Sequence, residues 1–416
     1  MLASMTAYSS KPAILVGRDT RISGSMLHGA LCAGVLSVGV DVIDIGVATT
    51  PAIAWLAKNM DVQAGVAITA SHNPVEYNGI KYIGHNGYKL SDELESEIEA
   101  EMHRLPEATS RPTGRKIGQL RHRPQLLQLY IEHLADIPSD DLRGMNIVID
   151  CANGAASAIA DWPFVKLGAS VRLIHHEPDG LNINENCGST HLESLQEAVL
   201  SGGCDLGLAL DGDADRCLAI DATGAEVNGD AMMAILALAL RDEGRLPHHT
   251  LVTTVMSNYG LYLALEQHGI QSLQTKVGDR YVLEAMKEHG YALGGEQSGH
   301  IIFAEHATMG DGLLTGLLLA SQVRKSGKSL RELAAVMSHT PQKLINVTLE
   351  EPAKAMDCPQ LQEAMRQAQA ELKGRGRILV RPSGTEPLLR VMVEAPTVEE
   401  AQAIAEHLAG IARREG

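Results

Sequence analysis

The sequence has few aromatic residues: 2 Trp, 9 Tyr and 2 Phe among 416 residues. Nucleic-acid bases and sugar rings stack on aromatic side chains, so a stacking platform for either is not expected. Positive charge is also scarce, because 35 Lys and Arg stand against 51 Asp and Glu, which gives a formal net charge of −16. Such a chain repels nucleic acid and anionic membrane surfaces, and neither is a predicted partner.

The sequence also lacks the cysteine spacing of a zinc site and an apolar run long enough to span a membrane. The six cysteines contain no Cys-x-x-Cys pair, which argues against a zinc cage, and scattered thiols suit a reducing cytoplasm. The first residues lack the apolar core of a signal peptide. The longest apolar run, 231–240, has about half the length of a membrane span. We therefore expect a cytoplasmic location.

A weak repeat organises the first three quarters of the chain. Each copy reads apolar strand, polar or glycine-containing loop, helix, glycine and second strand; the copies begin with AILVG, MNIVID and LVTTV. Strand–helix–strand units build parallel sheets with right-handed crossovers. Glycine after each helix (Gly39, Gly168 and Gly269) suits a left-handed C-terminal cap. The repeat predicts three similar α/β domains with parallel or mixed sheets.

The last part of the chain has a different pattern, with a helix, RILVRPSGTEP, the strand LLRVMVEA and an amphipathic terminal helix. This pattern indicates a smaller C-terminal α+β domain. Polar segments separate the units, and the predicted domains are 1–124, 125–242, 243–341 and 342–416. The polar motifs follow strand ends, where open parallel sheets bind ligands, so we expect the four domains to surround a central cleft.

The first motif, ITASHNP, follows an apolar strand and places Ser71 and His72 in an exposed turn. A serine in this position can act as a nucleophile or carry a covalent phosphate. A capping or turn serine is the plain alternative, and a hydrolase elbow would require Gly-x-Ser-x-Gly. Lys81 follows in YNGIK and, like His72, is a candidate for proton transfer or phosphate contact.

The second motif, ALDGDADR, carries three alternating carboxylates, Asp211, Asp213 and Asp215. An extended backbone would place all three on one side, where their crowded charge requires a cation. Oxygen ligands without His or Cys favour a hard ion such as Mg²⁺. An EF-hand is excluded, because Arg216 replaces the required glycine. A solvated acidic turn remains the alternative, and Arg216 could balance the aspartates or contact a phosphate.

Two further motifs are weaker when taken alone. GGEQSGH contains Glu296, Ser298 and His300 between glycines, and these polar groups could bind sugar hydroxyls or an amine. RPSGTEP offers a plausible phosphate cradle, with Arg390 in a position to assist. Its candidate residues are Arg381, Ser383, Gly384 and Thr385. Since Pro, Ser and Gly are common in turns, an ordinary turn is the alternative for this motif.

The motifs TASHNP, DGDADR, GEQSGH and RPSGTEP, in this order, resemble those of the α-D-phosphohexomutase superfamily. The similarity extends from about Ile14 to the C-terminus and includes TKVGDRYVLEAM and GGEQSGHIIF. It implies a four-domain sugar-phosphate mutase, and Gln297 favours glucosamine 6-phosphate and glucosamine 1-phosphate as the interconverted pair. Mannose and glucose enzymes of the superfamily usually carry Met there, so they are the alternative. The implied pathway leads to UDP-N-acetylglucosamine and cell-wall precursors.

The resemblance also implies residue roles. Ser71 would be the phosphoserine, and its phosphate together with the three aspartates would hold one Mg²⁺. His72 and Lys81 would lie near the transferred phosphoryl group, and a glucosamine or glucose 1,6-bisphosphate would act as activator. The remaining implied substrate contacts are Arg216, Arg280, Glu296, Ser298, Arg381, Ser383, Gly384 and Thr385. A homodimer is a candidate assembly.

One departure from the superfamily pattern concerns the first domain. Relatives carry a strand and a Thr-Asp-Gly-Ile-Arg-Gly type motif before GRDTR, whereas here AILVGRDTRIS begins a dozen residues from the start. We therefore expect the first domain to lack an edge strand and an active-site arginine. An inactive sugar-phosphate-binding homologue is thus a second hypothesis. A serine hydrolase is disfavoured, because no oxyanion motif or Asp–His partner is identifiable.

Overall fold

The computed structural model describes residues 11–103, 111–383 and 387–415. It contains four β-sheets in chain order. The chain divides into two compact units, the first formed by Met1–Met256 with Ile270–Val336 and the second by Ser257–Gly269 with Met337–Gly416. Among the described residues, no helix combines the length and the apolar character needed to cross a membrane.

The first sheet has five strands, and three helices accompany it. Its strands are Ala13–Arg18 (β1), Asp41–Val47 (β2), Ala64–Ile68 (β3), Ile80–Gly84 (β4) and Leu120–His122 (β5), and its helices are Gly24–Ser37 (α1), Thr50–Asn59 (α2) and Asp92–His103 (α3). The order is β4-β3-β1-β2-β5, parallel except for the antiparallel β3–β4 pair. The predicted absence of an earlier strand concerns residues 1–10, which lie outside the described residues.

The second sheet also has five strands. Its strands are Asn146–Asp150 (β6), Ser170–Ile174 (β7), Leu206–Leu210 (β8), Cys217–Asp221 (β9) and Glu226–Val227 (β10), and its helices are Leu127–Asp136 (α4), Trp162–Lys166 (α5) and Glu193–Gly202 (α6). In the order β10-β9-β8-β6-β7, the pairs β6–β7 and β6–β8 are parallel and the other two antiparallel. All five residues of β8, LGLAL, are buried, as expected for a central strand.

The third sheet has four strands in the order β12-β11-β13-β14, of which only β13–β14 is antiparallel. The elements of this part of the chain are Gly229–Asp242 (α7), Thr250–Thr254 (β11), Tyr259–Gln267 (α8), Gln271–Thr275 (β12), Asp279–His289 (α9), Leu293–Gly295 (β13), Ile301–Phe303 (β14), Gly312–Ser326 (α10) and Leu330–Ala334 (α11). Of these, α8 belongs to the second unit. The apolar run 231–240 lies in α7, whose residues are mostly buried, so it is a core helix.

The second unit contains an antiparallel three-stranded sheet in the order β15-β17-β16. Its elements are Gln342–Thr348 (β15), Pro352–Met356 (α12), Pro359–Leu372 (α13), Arg377–Pro382 (β16), Leu388–Glu394 (β17) and Val398–Glu415 (α14). The first unit also contains, among its described residues, four short 3-10 helices at Gly114–Lys116, Pro124–Leu126, Gly188–Thr190 and Pro247–His249. Buried Leu361, Leu389, Val391 and Leu408 belong to one apolar cluster of this unit.

The predicted fold class is confirmed: three α/β domains with mixed sheets precede a smaller C-terminal domain. The three glycines expected after helices, Gly39, Gly168 and Gly269, have φ angles of 88°, 93° and 67°. These left-handed conformations are readily available only to glycine, so the helix-end signals were interpreted correctly. The domain boundaries and the central cleft stay predictions.

Candidate active site

Ser71 lies in the turn after β3 and has a left-handed backbone, with φ of 52°. A residue with a side chain adopts this conformation only where its surroundings hold it there. Its amide donates to Thr69 Oγ1 at 2.9 Å. Its carbonyl oxygen accepts from Arg21 Nη2 at 3.0 Å and from Asn184 Nδ2 at 2.9 Å. Side chains from two domains therefore fix the orientation of this loop.

Arg21 is a second anchor of the Ser71 loop, and sequence reasoning missed it. Its guanidinium also donates to the carbonyl oxygens of Asn73 at 2.8 Å and Tyr77 at 2.9 Å. Asp19 Oδ2 accepts from Arg21 Nε at 2.8 Å, and both side chains are fully buried. Arg21 lies in the RDTR segment of the first repeat, but its contacts with the Ser71 loop span 50 to 56 residues, so no local pattern could reveal them.

The three aspartates converge as predicted, although the expected reason was wrong. Carboxylate oxygens of Asp211, Asp213 and Asp215 all lie within 4.8 Å of one another, and the three residues are buried. The segment is a turn between β8 and β9 rather than an extended strand, and Ala214 has a φ of 56°. The left-handed residue folds the chain so that the three side chains meet.

Ser71 approaches this cluster directly, because its Oγ donates to Asp211 Oδ2 at 2.6 Å. Burial, together with the charges of Asp215 and Asp213, raises the pKa of Asp211 well above its ordinary value. Burial also opposes ionisation of Asp215, but Lys81 and His300 outweigh it and hold the pKa of Asp215 well below its usual range. Within this cluster, the Asp211 carboxyl group therefore resists ionisation, whereas the Asp215 carboxyl group strongly favours it.

Lys81, on β4, is the cation nearest to the carboxylates. Its Nζ donates to Asp213 Oδ2 at 2.7 Å and to Asp215 Oδ2 at 3.5 Å. Burial disfavours the ammonium form, but the charges of Asp213 and Asp215 outweigh burial and raise the pKa of Lys81. His72 Nδ1 is 3.4 Å from Ser71 Oγ. Burial and the charge of Arg216 lower the pKa of His72.

The donor set of the aspartate turn fits a hard divalent cation such as Mg²⁺. Asp213 Oδ1 and Asp215 Oδ1 are buried and have no hydrogen-bond partner among the described residues. Buried carboxylate oxygens without donors are costly, and a cation relieves both this cost and the repulsion between the carboxylates. Arg216 Nε lies 3.9 Å from Asp215 Oδ1 and contributes positive charge at the edge of the cluster.

The GGEQSGH loop lies against the strand that follows the aspartate turn, because the Gly299 carbonyl accepts from Cys217 N at 3.1 Å. Glu296 Oε1 accepts from Gly278 N at 3.2 Å, and Ser298 Oγ is buried. His300 Nε2 accepts from Gly310 N at 3.0 Å, and its Nδ1 is 3.6 Å from Asp215 Oδ1. His300 therefore connects this loop to the aspartate cluster.

Arg280, on α9, has a more peripheral position. Its Nε donates to Glu284 Oε1 at 2.7 Å within the same helix, and it lines a cavity of about 370 Å³ with Lys89 and His300. Beside it, Asp279 pairs with Lys89 and lies 3.6 Å from His300 Nε2. The sequence motifs predicted no role for Lys89 or Asp279.

The candidate phosphate loop lies in the second unit. Arg381 on β16 is the register partner of Arg390 on β17. Burial and the charge of Arg390 lower the pKa of Arg381, which is the electrostatic setting that favours a bound anion. Ser383 N donates to the Leu388 carbonyl at 2.8 Å. The other two predicted residues, Gly384 and Thr385, lie outside the described residues.

Sequence profiles of four protein domains match the chain in order. They are described as phosphoglucomutase/phosphomannomutase α/β/α domain I (residues 1–109), domain II (128–224), domain III (228–340) and the C-terminal domain (344–411). The chain is 50% identical over 411 residues to a phosphoglucosamine mutase of Geobacillus thermodenitrificans, covering 99% of this chain and 92% of the relative. It is 51% identical over 405 residues to that of Streptomyces griseus, covering 97% and 90%.

Solved structures have the same fold at low sequence identity. A phosphoglucomutase/phosphomannomutase family protein from Burkholderia thailandensis matches with a TM-score of 0.79 and 22% identity, covering 99% of this chain and 92% of that chain. An N-acetylphosphoglucosamine mutase from Aspergillus fumigatus, solved with GlcNAc-6P and magnesium, matches with a TM-score of 0.67 and 21% identity, covering 99% and 85%.

Proposed function

Because the chain belongs to the phosphoglucomutase/phosphomannomutase family, we propose that it is a phosphoglucosamine mutase, an isomerase that interconverts glucosamine 6-phosphate and glucosamine 1-phosphate. The observation that carries this proposal is the hydrogen bond from Ser71 Oγ to Asp211 Oδ2 at 2.6 Å, within a buried cluster of three carboxylates. It supports Ser71 as the residue that carries the phosphoryl group, because its hydroxyl lies beside the proposed metal ligands. Relatives about 50% identical over nearly the whole chain, named phosphoglucosamine mutases, support the choice of substrate.

In this proposal Ser71 carries the phosphoryl group. Transfer breaks the bond between Ser71 Oγ and phosphorus and forms a bond to a sugar hydroxyl oxygen, which gives a 1,6-bisphosphate. The hydroxyl proton leaves to a base, for which His72 and Lys81 are the candidates. The bisphosphate then presents its other phosphate, whose phosphorus forms a bond to Ser71 Oγ while its bond to the sugar oxygen breaks. The protonated base returns its proton to that sugar oxygen, and the isomerised monophosphate is released. Glucose 1,6-bisphosphate would restore a phosphoserine that had been hydrolysed.

Asp211, Asp213, Asp215 and the phosphate on Ser71 would hold one Mg²⁺. When bound, the ion would neutralise the charge that develops on the transferred phosphoryl oxygens. The magnesium complex of the Aspergillus enzyme and a glucose 1,6-bisphosphate complex of its Ser-to-Ala variant support the corresponding proposals for ion and activator. Lys81 would keep Asp215 ionised and ready to bind.

The remaining predicted residues would hold the substrate. Glu296 and Ser298 would contact the sugar, with Arg216 and Arg280 as additional cationic contacts. Arg381, Ser383, Gly384 and Thr385 would bind the phosphate that does not react. The adjacent charges of Arg381 and Arg390 support this last assignment. A cytoplasmic location and a homodimer stay predictions.

The test is ³¹P NMR of the purified protein with Mg²⁺, glucosamine 6-phosphate and a catalytic amount of glucose 1,6-bisphosphate. Mannose 6-phosphate and glucose 6-phosphate are assayed in parallel. We expect the glucosamine 1-phosphate signal to grow faster than either hexose product. A preference for mannose or glucose would instead assign one of the sister activities, and absence of turnover with all three would favour an inactive homologue.

The role of the serine is tested separately with Ser71→Ala, and Ser37→Ala serves as a control in the same domain. Ser71→Ala should abolish turnover and remove the phosphate found by mass spectrometry on the peptide that contains residue 71. Ser37→Ala should retain both. Normal turnover by Ser71→Ala would show that the phosphoserine mechanism is wrong.

A further inference from the structure

A second cluster of potential metal ligands lies in the second domain. Asp150 ends β6, His175 follows β7, and Cys187 precedes the 3-10 helix Gly188–Thr190. One ligand atom from each side chain lies within 4.8 Å of the others. His175 Nδ1 is 3.0 Å from Asp150 Oδ2. The three residues come from separate segments, so the sequence contains no Cys or His spacing that would reveal the cluster.

The burial of these side chains calls for charge compensation. The side chain of Asp150 is 0% exposed, and among the ion pairs of the described residues its partner is His175 alone. Cys187 is also 0% exposed and forms no disulfide. The His175 side chain is 31% exposed, which gives the cluster a path to solvent. A carboxylate, an imidazole and a thiol thus share a site that is closed on one side and open on the other.

Backbone amides hold the carboxylate in place. Ala152 N donates to Asp150 Oδ1 at 2.9 Å, and Gly188 N donates to Asp150 Oδ2 at 2.9 Å. Hydrogen bonds of this kind fix the direction of a metal-binding carboxylate before the ion arrives. Left-handed backbone at His175 (φ 45°) and Gly188 (φ 69°) brings the other two segments to it.

Hydrogen bonding accounts for Asp150 and His175 without an ion, but not for the thiol beside them. The Cys187 sulphur lies within 4.8 Å of a carboxylate oxygen of Asp150 and of a ring nitrogen of His175. An ordinary buried cysteine would be expected among apolar side chains, whereas this one faces a carboxylate.

We propose that Asp150, His175 and Cys187 form a site for a thiophilic divalent cation of the Zn²⁺ type. One thiolate, one imidazole and one carboxylate match the ligands that Zn²⁺ takes, and solvent can occupy the fourth position on the open side. Binding requires that Cys187 release its thiol proton to solvent and that His175 offer an unprotonated ring nitrogen to the ion. The oxygen-only aspartate turn suits a harder ion, so the two sites would select different metals.

The site is adjacent to the Ser71 loop. Asn184, three residues before Cys187, donates from Nδ2 to the carbonyl oxygens of Ser71 at 2.9 Å and Asn73 at 3.1 Å. An ion that binds Cys187 therefore restrains the segment from Asn184 to Cys187. We expect amide hydrogen exchange in this segment to slow when the metal binds.

The test is titration of the metal-free full-length protein with Co²⁺ in excess Mg²⁺, which occupies the oxygen-only site. A thiolate ligand gives cobalt a near-ultraviolet charge-transfer band that oxygen ligands do not produce. The wild-type protein should develop this band with saturation near one cobalt per chain. Cys187→Ser should lose the band, and Cys204→Ser, a matched buried thiol of the same domain, should keep it.

His175→Gln provides a second variant that leaves the buried thiol in place. It should weaken Co²⁺ binding at least about tenfold, and added Zn²⁺ should displace the cobalt band from the wild type. Far-ultraviolet circular dichroism confirms that each variant is folded. Absence of a band in the folded wild type, a band that survives in Cys187→Ser, or unchanged hydrogen exchange in the segment before Cys187 would overturn the proposal.

Discussion

Asn184 Nδ2 lies 2.9 Å from the carbonyl oxygen of Ser71, although 113 residues separate the two in the chain. Asn184 belongs to the second domain, whereas Ser71 belongs to the first. The hydrogen bond therefore ties the proposed nucleophile to the domain that supplies the aspartate turn. With Ser71 in a left-handed conformation, the bond holds a backbone geometry that the residue would not adopt unaided.

We expect Asn184→Ala to lower kcat by roughly 10- to 100-fold, because a loosened loop misplaces Ser71 Oγ relative to the phosphoryl group. KM should change little, because Asn184 is not a proposed substrate contact. Steady-state kinetics with glucosamine 6-phosphate measures both values. Asn182→Ala, in the same loop, is the control and should retain more activity. Equal losses in the two variants would attribute the effect to the whole loop rather than to the Ser71 contact.

Asp213→Asn should weaken Mg²⁺ binding at least about tenfold, a loss typical of altered metal sites. Asp213 Oδ1 is buried without a hydrogen-bond partner among the described residues, and Oδ2 accepts from both Lys81 and Thr50, so the carboxylate is already positioned for a cation. Isothermal titration calorimetry gives the affinity directly. Asp136→Asn, which changes an exposed carboxylate of the same domain, should bind Mg²⁺ like the wild type; a matching loss there would argue against a specific site.

Arg377→Met should lower the free energy of unfolding of the second unit by about 3–5 kcal/mol, because it leaves the buried charge of Glu394 uncompensated. Arg377 Nη2 is 2.6 Å from Glu394 Oε2, and the Glu394 side chain is 0% exposed. Arg377 also donates to the Ser257 carbonyl at 2.8 Å. Urea unfolding monitored by circular dichroism measures the change. Lys354→Met, at an exposed ion pair, should have little effect, and a comparable loss there would contradict the argument.

Asp311 should make the stability of the protein depend on pH. Burial raises the pKa of Asp311 to about 6, although hydrogen bonds from Leu314 N and Tyr130 Oη favour its ionised form. Because the folded pKa lies above the ordinary value of 3.8, the stabilising contribution is complete below about pH 4 and is lost as pH rises through 6. The upper bound on this loss is about 3 kcal/mol.

Asp311→Asn, which is neutral at every pH, tests this dependence. The free energy of unfolding of the variant relative to the wild type should rise between pH 4 and pH 7 and level off above pH 7. Urea titrations at a series of pH values give the difference curve. Asp141→Asn, at an exposed site, supplies the baseline. A flat difference curve for Asp311→Asn would show that the carboxyl ionises normally in the folded protein.

Local sequence patterns were sufficient to predict the strand–helix–strand repeats, because hydrophobic periodicity and glycine at helix ends act over a few residues. They also drew attention to Ser71 and the three aspartates, because these residues follow the ends of β3 and β8; the roles of these residues stay predictions. The extended geometry assumed for the aspartates was wrong, because Ala214 has a left-handed conformation. The residue types in DGDADR do not predict that conformation.

The residues that sequence reasoning missed act over long separations. Arg21 and Asn184 hold the Ser71 loop from positions 50 and 113 residues away, and Asp150, at the end of β6, lies near Cys187 of a later loop. Within its own segment, each of these residues is of a type that ordinary turns and loops contain. These side chains meet only in the folded chain, so their contacts could be found only in the three-dimensional structure.

The hydrogen bonds around Ser71 also limit how this enzyme can be recombined with its relatives. Thr50 Oγ1 donates to Asp213 Oδ2 at 2.6 Å, Thr20 Oγ1 donates to the Asn153 carbonyl at 2.6 Å, and Asn184 donates to the Ser71 carbonyl. These hydrogen bonds are among the contacts that join the first two domains around Ser71. A chimera with its crossover between β4 and β6 would take the serine from one parent and the aspartates from the other. Such hybrids should fold but catalyse the reaction slowly. A crossover after residue 221 would take both domains, and therefore these hydrogen bonds, from one parent.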